Sequence, residues 1–235
     1  MKNIENWQST KIDIHRAYGI RKGTRLKGYV MASKLSEWAK QFRSFASKDT
    51  VVLDLGCGEV PFYESFGRPE NYITVDWGSS LHPNRYVDYY IDLNSQPIPL
   101  DESSVDVIIL SDVLEHLHTP DHIINECERV LKKKGILLIS TPFLYWLHET
   151  PHDYARYTPF WYRKKLDCFT LELSVRGGLI SFMFDLYLKL MGRILPLRFF
   201  GLLALYILNN KYIRRLDDRT SKLFPFMITL NAIKS

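Results

Sequence analysis

The sequence predicts a doubly wound α/β domain in which helices cover both faces of a mostly parallel, seven-stranded sheet. Three observations predict it: short apolar runs, helical stretches between them, and glycine or acidic residues directly after several runs. Strands buried on both faces read as continuous apolar runs, and the intervening helices supply the crossovers between parallel strands. A chain of 235 residues with 46% hydrophobic residues is long enough for one such domain with a sizeable core.

Seven apolar runs have the length and composition of strands. They are residues 51–55, 72–75, 87–91, 105–110, 135–140, 169–175 and 226–233. Residues 29–45 predict an amphipathic helix within a lead-in of residues 1–50, because apolar side chains recur along one face. Residues 113–134 predict a second helix, which restarts at Pro120 and ends in the lysines at 132–134, before a glycine.

Charge is distributed unevenly along the chain, although its net value is only +5. Residues 1–50 carry a net +7, residues 51–185 a net −9 and residues 186–235 a net +7. Basic ends are suited to an anionic membrane, a phosphorylated substrate or nucleic acid, and solvated basic helix faces are the alternative. The three cysteines are far apart and no apolar leader follows Met1, so the expected location is the cytoplasm.

The first strand runs into the sequence LDLGCG, which contains Asp54, Gly56 and Gly58. Glycines here remove side chains, so that a ligand can approach the backbone beyond the carboxyl ends of the strands. The third glycine of the dinucleotide fingerprint is absent because Phe62 stands in its place, which argues against a pyrophosphate cofactor. Asp76 ends the second strand, where a carboxylate can accept hydrogen bonds from both hydroxyls of a ribose.

Three segments resemble motifs of class I S-adenosylmethionine-dependent methyltransferases. LDLGCG resembles their motif I, SDVLEHL, which begins at Ser111, resembles the segment after their fourth strand, and ERVLKKKG, which begins at Glu128, resembles the segment before their fifth. With Asp76, four motifs occur in the family's order within residues 45–176. The resemblance implies a single methyltransferase domain with a Rossmann-like sheet. Its parts are a helical lead-in at 1–50, a cofactor-binding core at 51–176, an apolar helical insertion at 177–224 and a last strand at 225–235.

The resemblance also implies which residues surround the methionine half of S-adenosylmethionine. Gly56 and Gly58 would let the backbone pass this half of the cofactor. Asp54 would orient its amino group, directly or through water, and Ser111 would line it through the backbone.

A second set of residues is implied for the adenosine half. Asp76 would hold the ribose, and Trp77 would stack on the adenine. Asp92, which Leu93 follows, would accept a hydrogen bond from the adenine amino group. The alternative for Asp92 is a cap at the end of the third strand.

The loop after the fifth strand, residues 141–158, is dense in polar and aromatic residues. It resembles the segment H-x-x-P-x-D-Y-x-R-Y/F-T of bacterial methyltransferases in glycan and lipid-linked pathways. His148 is the candidate base, because an imidazole titrates near neutrality. Asp153 would orient a histidine or bind an acceptor hydroxyl, and Arg156 would bind an acidic group of the acceptor. The alternative for Asp153 and Arg156 is an ion pair that fixes the loop.

No metal site is expected from the histidines. His148 and His152 formally complete the H-E-x-x-H motif of zinc proteases, but that motif requires a helix, and Pro151 would break one. Three further histidines have a spacing that fits no familiar metal site, and we expect them at the surface or at helix caps. They are His116, His118 and His122.

An apolar segment, residues 179–209, precedes the last strand. Its uncharged stretches are too short to span a bilayer. Its amphipathic character and the basic residues after it predict contact of residues 181–215 with the inner face of a membrane, or a tunnel for a hydrophobic acceptor. Packing on the sheet and a homodimer interface are the alternatives.

The leading functional hypothesis is methyl transfer to a hydroxyl of a sugar, or of a lipid-linked or amphiphilic small molecule. An N- or C-methyltransferase of a small metabolite is one alternative, and a methyltransferase-like protein that binds without catalysis is another. Nucleic acid is not an expected partner, because Ser111 and Asp112 stand where an Asn-Pro-Pro-aromatic motif would follow the fourth strand.

Overall fold

The computed structural model of the protein describes residues 26–79, 86–191 and 210–235. Within these residues seven strands form one sheet: β1 Val51–Leu55, β2 Asn71–Asp76, β3 Tyr89–Tyr90, β4 Val105–Ser111, β5 Leu131–Pro142, β6 Phe169–Arg176 and β7 Met227–Lys234. The helices described are α1 Leu26–Phe45, α2 Pro61–Ser65, α3 Pro120–Val130, α4 Pro159–Lys165, α5 Leu179–Met191 and α6 Lys211–Ser221, together with a 3₁₀ turn at Leu114–His116.

The order of strands across the sheet is β3-β2-β1-β4-β5-β7-β6. Neighbours from β3 to β5 run parallel, and β7 runs antiparallel to both β5 and β6. The predicted doubly wound, mostly parallel sheet is therefore confirmed, and β7 makes it a mixed one. The chain reverses its direction of winding between β1 and β4. Open α/β sheets bind ligands beyond the carboxyl ends of the strands at such a point.

Helices cover both faces of the sheet, as the residues of β4 show. Val107 and Ile109 belong to the apolar cluster that includes Trp38 of α1. Ile108 and Leu110 belong to the other cluster, to which α3 contributes. All four β4 side chains are fully buried. Because successive side chains of a strand point to opposite faces, burial of all four requires a layer of helices on each side.

Two element boundaries differ from the prediction. The lysines at 132–134 lie in β5 and not at the end of a helix, because α3 ends at Val130. Lys132 Nζ contacts both carboxylate oxygens of Asp106 on β4, at 2.9 and 2.8 Å. The spacing of residues along a helix cannot predict this ion pair between two strands. β3 is shorter than the predicted run because it is an edge strand that pairs with β2 alone.

The connection between β6 and β7 contains α5 and α6, which pack closely against each other. Ser181 of α5 donates its backbone N–H to Asp217 Oδ1 of α6 at 3.0 Å, and its hydroxyl donates to the other oxygen of the same carboxylate. Both side chains are buried. A Cβ at Gly178 would lie 2.2 Å from the carbonyl oxygen of Asp217 and 2.2 Å from Oγ1 of Thr220. The two helices can therefore approach this closely only with glycine at 178.

Replacing Gly178 with alanine is expected to destabilise the protein. The added methyl group forces α5 away from α6, and overpacking of this kind costs about 1–3 kcal/mol. The free energy of unfolding in urea measures it. Gly78→Ala is the matched control, because a Cβ there meets no heavy atom within 4 Å. Equal losses in the two variants would contradict this account of the helix contact.

None of the described helices is long and apolar enough to cross a membrane. Residues 192–209, which belong to the predicted apolar segment, lie outside the described residues. On α5 and α6 and just beyond them, several large apolar side chains are exposed. They are Met183, Tyr187, Tyr212, Leu216, Leu223 and Phe224.

Candidate active site

The loop after β1 lies at the carboxyl end of the sheet, against the segment that follows β4. Gly56 and Gly58 have φ values of +65° and +48°, in the left-handed region that glycine adopts without strain. A Cβ at Gly56 would lie 2.4 Å from Cγ2 of Val113. Glycine is therefore required at position 56 both by the backbone conformation and by the neighbouring chain.

Asp76, at the end of β2, turns its carboxylate towards this loop. Its Oδ2 accepts a hydrogen bond from the backbone N–H of Gly58 at 2.8 Å, and its Oδ1 accepts one from the N–H of Trp77 at 2.7 Å. The residue is only 6% exposed. The weak thiol donor of Cys57 also lies 3.8 Å from Oδ2; a hydroxyl can replace it there, and Oδ1 keeps a further acceptor position. The arrangement therefore fits a ligand with two neighbouring hydroxyls, as a ribose has.

Asp54 lies one strand away and is 1% exposed. The hydroxyl of Tyr72 donates a hydrogen bond to its Oδ2 at 2.6 Å. The pKa of Asp54 is raised to about 7, chiefly by burial; the Tyr72 hydrogen bond lowers it and the charge of Asp76 adds to the rise. A cationic group of a ligand beside this carboxyl would favour its ionised form. The site thus suits the amino group that the resemblance assigns to Asp54.

Ser111 ends β4 and Trp77 directly follows β2, so both lie at the carboxyl edge of the sheet. The hydroxyls of Ser111, at the end of β4, and Ser140, on β5, lie 2.9 Å apart and share a hydrogen bond. Trp77 is 43% exposed, so a large part of its indole is available to a ligand. Its ring meets the ring of His152 edge to face, with centroids 5.1 Å apart. Trp77 therefore connects the predicted cofactor crevice with the loop that carries the catalytic candidates.

Asp92 and Leu93 have partners within the protein itself. Asp92 Oδ1 accepts hydrogen bonds from the backbone N–H and the side-chain amide of Asn94, at 2.9 and 3.0 Å, and Oδ2 accepts one from Ser95 at 3.2 Å. These contacts are those of the alternative interpretation, a cap of the turn after β3. Leu93 is 5% exposed and packs in the core. Contact of Asp92 with adenine stays a prediction.

The loop of residues 141–158 folds back over the 3₁₀ turn that follows β4. The backbone N–H of Tyr154 donates to the carbonyl oxygen of Glu115 at 2.8 Å, and the buried hydroxyl of Tyr157 donates to that of Leu114 at 3.1 Å. Thr158 ends the loop as the N-cap of α4, accepting from the N–H of Trp161 at 3.2 Å. The tyrosine and threonine of the motif thus have positions that fix the loop.

The three predicted catalytic residues contact one another within this loop. Asp153 Oδ2 accepts hydrogen bonds from the backbone N–H of His148 at 3.0 Å and from its Nδ1 at 3.2 Å. Arg156 contacts both carboxylate oxygens of Asp153, at 2.5 and 2.8 Å. Burial raises the pKa of Asp153, but the hydrogen bonds from Arg156 and His148 outweigh it, so the pKa lies well below its ordinary value. The guanidinium is thus held in the ion pair that was the alternative to binding an acceptor.

Two residues that the sequence did not place in the site, Glu115 and His116, lie beside His148, although His116 was expected at the surface or at a helix cap. Glu115 is fully buried, and its Oε1 lies 3.9 Å from Nε2 of His148 and 3.9 Å from Nε2 of His116. The two imidazole centroids are 4.8 Å apart. One nitrogen from each ring and one oxygen of Glu115 lie within 4.8 Å of one another, so the three residues could hold a metal ion. The recurrence of SDVLEHL in the family was the available signal for Glu115 and His116.

A family model described as a methyltransferase domain matches residues 53–139. The matched segment runs from β1 into β5 and contains the glycine loop and Asp76. Residues 53–139 are therefore similar to a methyltransferase domain.

Two relatives and a solved structure illustrate what this chain is similar to. A probable S-adenosylmethionine-dependent methyltransferase of Mycobacterium tuberculosis is 33% identical over 96 residues, which are 39% of this chain and 35% of the relative. A ubiquinone biosynthesis O-methyltransferase of Maricaulis maris is 29% identical over 100 residues, 38% of this chain and 39% of the relative. The matches thus span well under half the length of these relatives.

The solved structure is an S-adenosylmethionine-dependent methyltransferase from Archaeoglobus fulgidus. It superposes with a TM-score of 0.53 at 15% identity, over 86% of this chain and 94% of that chain. At this identity the superposition shows that the two chains share a fold.

Proposed function

We propose that the chain transfers a methyl group from S-adenosylmethionine to a hydroxyl group of a small molecule. The observation that carries the proposal is the position of His148, which Asp153 holds through Nδ1, on a loop that also contacts Trp77. A base held in this way, beside the crevice assigned to the cofactor, is the arrangement that hydroxyl methylation needs.

Bound S-adenosylmethionine supplies an electrophilic methyl group on its sulfonium sulfur. Asp76 binds the ribose hydroxyls, and Gly56 and Gly58 let the backbone pass close to the methionine half. His148 binds the acceptor hydroxyl and takes its proton on Nε2 as the new oxygen–carbon bond forms and the carbon–sulfur bond breaks. Asp153 keeps the Nδ1 proton in place and stabilises the imidazolium.

Arg156 has a positioning role in this proposal. Its two contacts with Asp153, and a hydrogen bond of 3.1 Å to the carbonyl oxygen of Trp146, fix the carboxylate in place. A bidentate guanidinium–carboxylate pair has a defined geometry that a lysine cannot reproduce. Arg156 therefore acts on the acceptor through Asp153 and His148.

The acceptor class that we propose is a small amphiphilic molecule. Support comes from the aromatic rings beside His148, where Tyr145 packs on Trp146 with centroids 4.2 Å apart, and from Leu147, which is 74% exposed. Relatives named for ubiquinone biosynthesis are O-methyltransferases by name, which favours oxygen over nitrogen or carbon as the acceptor atom.

Incubating the chain with methyl-labelled S-adenosylmethionine and a metabolite extract tests the acceptor class. We expect label in the organic phase, on products that resist the mild base that cleaves methyl esters. Label confined to water-soluble sugars would overturn the amphiphilic class and keep hydroxyl methylation. Label on nucleic acid, or none on any product, would overturn the proposal itself.

Binding of S-adenosylmethionine is expected to release a proton below about pH 7. In the ligand-free protein the raised pKa, about 7, keeps Asp54 neutral at lower pH, whereas a cationic amino group beside it favours the carboxylate. Affinity should therefore increase as the pH rises towards 7 and level off above it. Calorimetry at pH 6 in buffers of different ionisation enthalpy measures the released proton.

Asp54→Asn provides the control for this proton release. The variant should bind more weakly, with an affinity that no longer changes between pH 6 and pH 8. An unchanged pH dependence in the asparagine variant would show that another group titrates.

We also propose peripheral contact of α6 with an anionic membrane surface. Tyr212 and Leu216 are exposed on this helix beside Arg215 and Arg219, and apolar side chains flanked by basic ones bind anionic interfaces. The chain should float with phosphatidylglycerol vesicles and not with phosphatidylcholine vesicles, and Leu216→Glu should abolish flotation. A dimer in solution that Leu216→Glu dissociates, without flotation, would contradict membrane contact.

A further inference from the structure

Glu115, His116 and His148 form a compact cluster between the 3₁₀ turn and the loop of residues 141–158. Ligand atoms that share one metal ion at ~2.1 Å lie between about 3 and 4.2 Å from one another. The carboxylate oxygen of Glu115 lies 3.9 Å from Nε2 of each imidazole. Both distances are within that range, and one ligand atom from each of the three residues lies within 4.8 Å of the others, so the cluster needs to contract slightly around an ion.

The other nitrogen of each imidazole is already held by a fixed acceptor. Nδ1 of His148 lies 3.2 Å from Asp153 Oδ2, and Nδ1 of His116 lies within hydrogen-bond distance of the carbonyl oxygen of His152. A carboxylate or carbonyl acceptor keeps the proton on Nδ1, which leaves the lone pair of Nε2 directed into the cluster. Histidines that bind metals have this second partner almost always.

The charge of the cluster also suits a cation. Glu115 is fully buried, and Glu149 places Oε2 3.7 Å from Nε2 of His116. Two imidazoles and one carboxylate are ligands that Zn²⁺, Co²⁺ and other divalent transition metals accept. With three protein ligands, such an ion keeps at least one open position for an oxygen of a substrate.

We infer that Glu115, His116 and His148 bind a divalent transition-metal ion whose open position receives the acceptor oxygen. The inference deepens the proposed function and rests on it for the place of the acceptor. A bound ion occupies the lone pair on Nε2 of His148, so this nitrogen no longer takes the proton of the acceptor hydroxyl. The metal-bound hydroxyl then loses its proton to solvent water, because a divalent ion lowers the pKa of an oxygen that it binds.

Titration of the chain with Co²⁺ tests the site without any methyl transfer, since bound Co²⁺ absorbs visible light. We expect one equivalent of Co²⁺ to bind and Zn²⁺ to displace it. His116→Ala and Glu115→Gln should each weaken Co²⁺ binding more than about 100-fold. Asp153→Asn leaves all three ligands in place and alters the hydrogen-bond partner of His148, so it should weaken binding by about 10- to 100-fold. His118→Ala is the matched control, because His118 is exposed nearby, and it should bind as the unchanged chain does.

The folded state of each variant is checked by its binding of S-adenosylhomocysteine, which should not change. Absence of Co²⁺ binding in the unchanged chain, or equal binding in His116→Ala and His118→Ala, overturns the inference. Methyl transfer that persists at full rate after removal of metals by a chelator also overturns it and leaves His148 as the base. Loss of methyl transfer in a chain that binds Co²⁺ as expected would instead contradict the proposed function.

Discussion

Asp76→Ala is expected to weaken binding of S-adenosylmethionine by about 100-fold or more. The variant loses a buried carboxylate that can accept two hydroxyl hydrogen bonds, and each hydrogen bond to a charged group contributes about 1.5–3 kcal/mol. It also releases the N–H of Gly58, which the carboxylate holds at 2.8 Å in the ligand-free protein. The glycine loop therefore loses an anchor at the same time as the cofactor loses a partner.

Calorimetry with S-adenosylmethionine and with S-adenosylhomocysteine measures this loss. Asp101→Ala is a suitable control, because Asp101 is an exposed carboxylate outside the crevice, and its affinity should be unchanged. Binding by Asp76→Ala within a few-fold of the unchanged chain would place the ribose elsewhere. Absence of binding by the unchanged chain would remove the cofactor site altogether.

His148→Ala is expected to lower kcat by about 100- to 10,000-fold, the range that a general base contributes. The affinity for S-adenosylmethionine should not change, because the imidazole contacts Asp153 and the Glu115 cluster and not the glycine loop. The measurement is single-turnover methyl transfer with saturating cofactor, on the acceptor found by labelling. Loss of the methyl-transfer step with intact cofactor binding is the signature of a group that contacts the acceptor.

Two further variants separate chemistry from loop structure. Arg156→Lys keeps the charge but loses the bidentate contact with Asp153, so kcat should fall less than in His148→Ala. His118→Ala, whose ring contacts Tyr154 at the edge of the same region, should keep full activity. Full turnover by His148→Ala would exclude both the base and a metal held by this residue.

The juxtaposition of Gly56, Gly58 and Asp76 could be predicted from the sequence because each lies at or just after the end of one of two consecutive strands. Gly56 and Gly58 adopt their positive φ values within one loop, and Asp76 reaches that loop from the end of the adjacent strand. β1 and β2 pair in parallel, which brings their carboxyl ends to one edge of the sheet. The local sequence and the fold class together are therefore enough to predict that these three residues lie close to one another.

The catalytic candidates were predictable in part. His148, Asp153 and Arg156 are close in sequence, and their mutual contacts follow from a short loop. Nothing in the sequence brings His116 to that loop, since its contact with the backbone of His152 spans 36 residues. The lysines at 132–134 likewise lie in β5 and not in the predicted helix, and Lys132 pairs there with Asp106 of the neighbouring strand. Both depend on which loop meets which strand, a tertiary property that periodicity does not encode.

The anchoring of the loop at Leu114 and Glu115 has a consequence for engineering. The loop is attached by backbone hydrogen bonds and by the buried Tyr157, so its shape does not depend on the side chains that point outwards. Leu147 and Tyr154 are both exposed and can be exchanged as a library at little cost in stability. A rigid frame with variable outer positions is a template on which acceptor preference can be selected while the methyl donor stays the same.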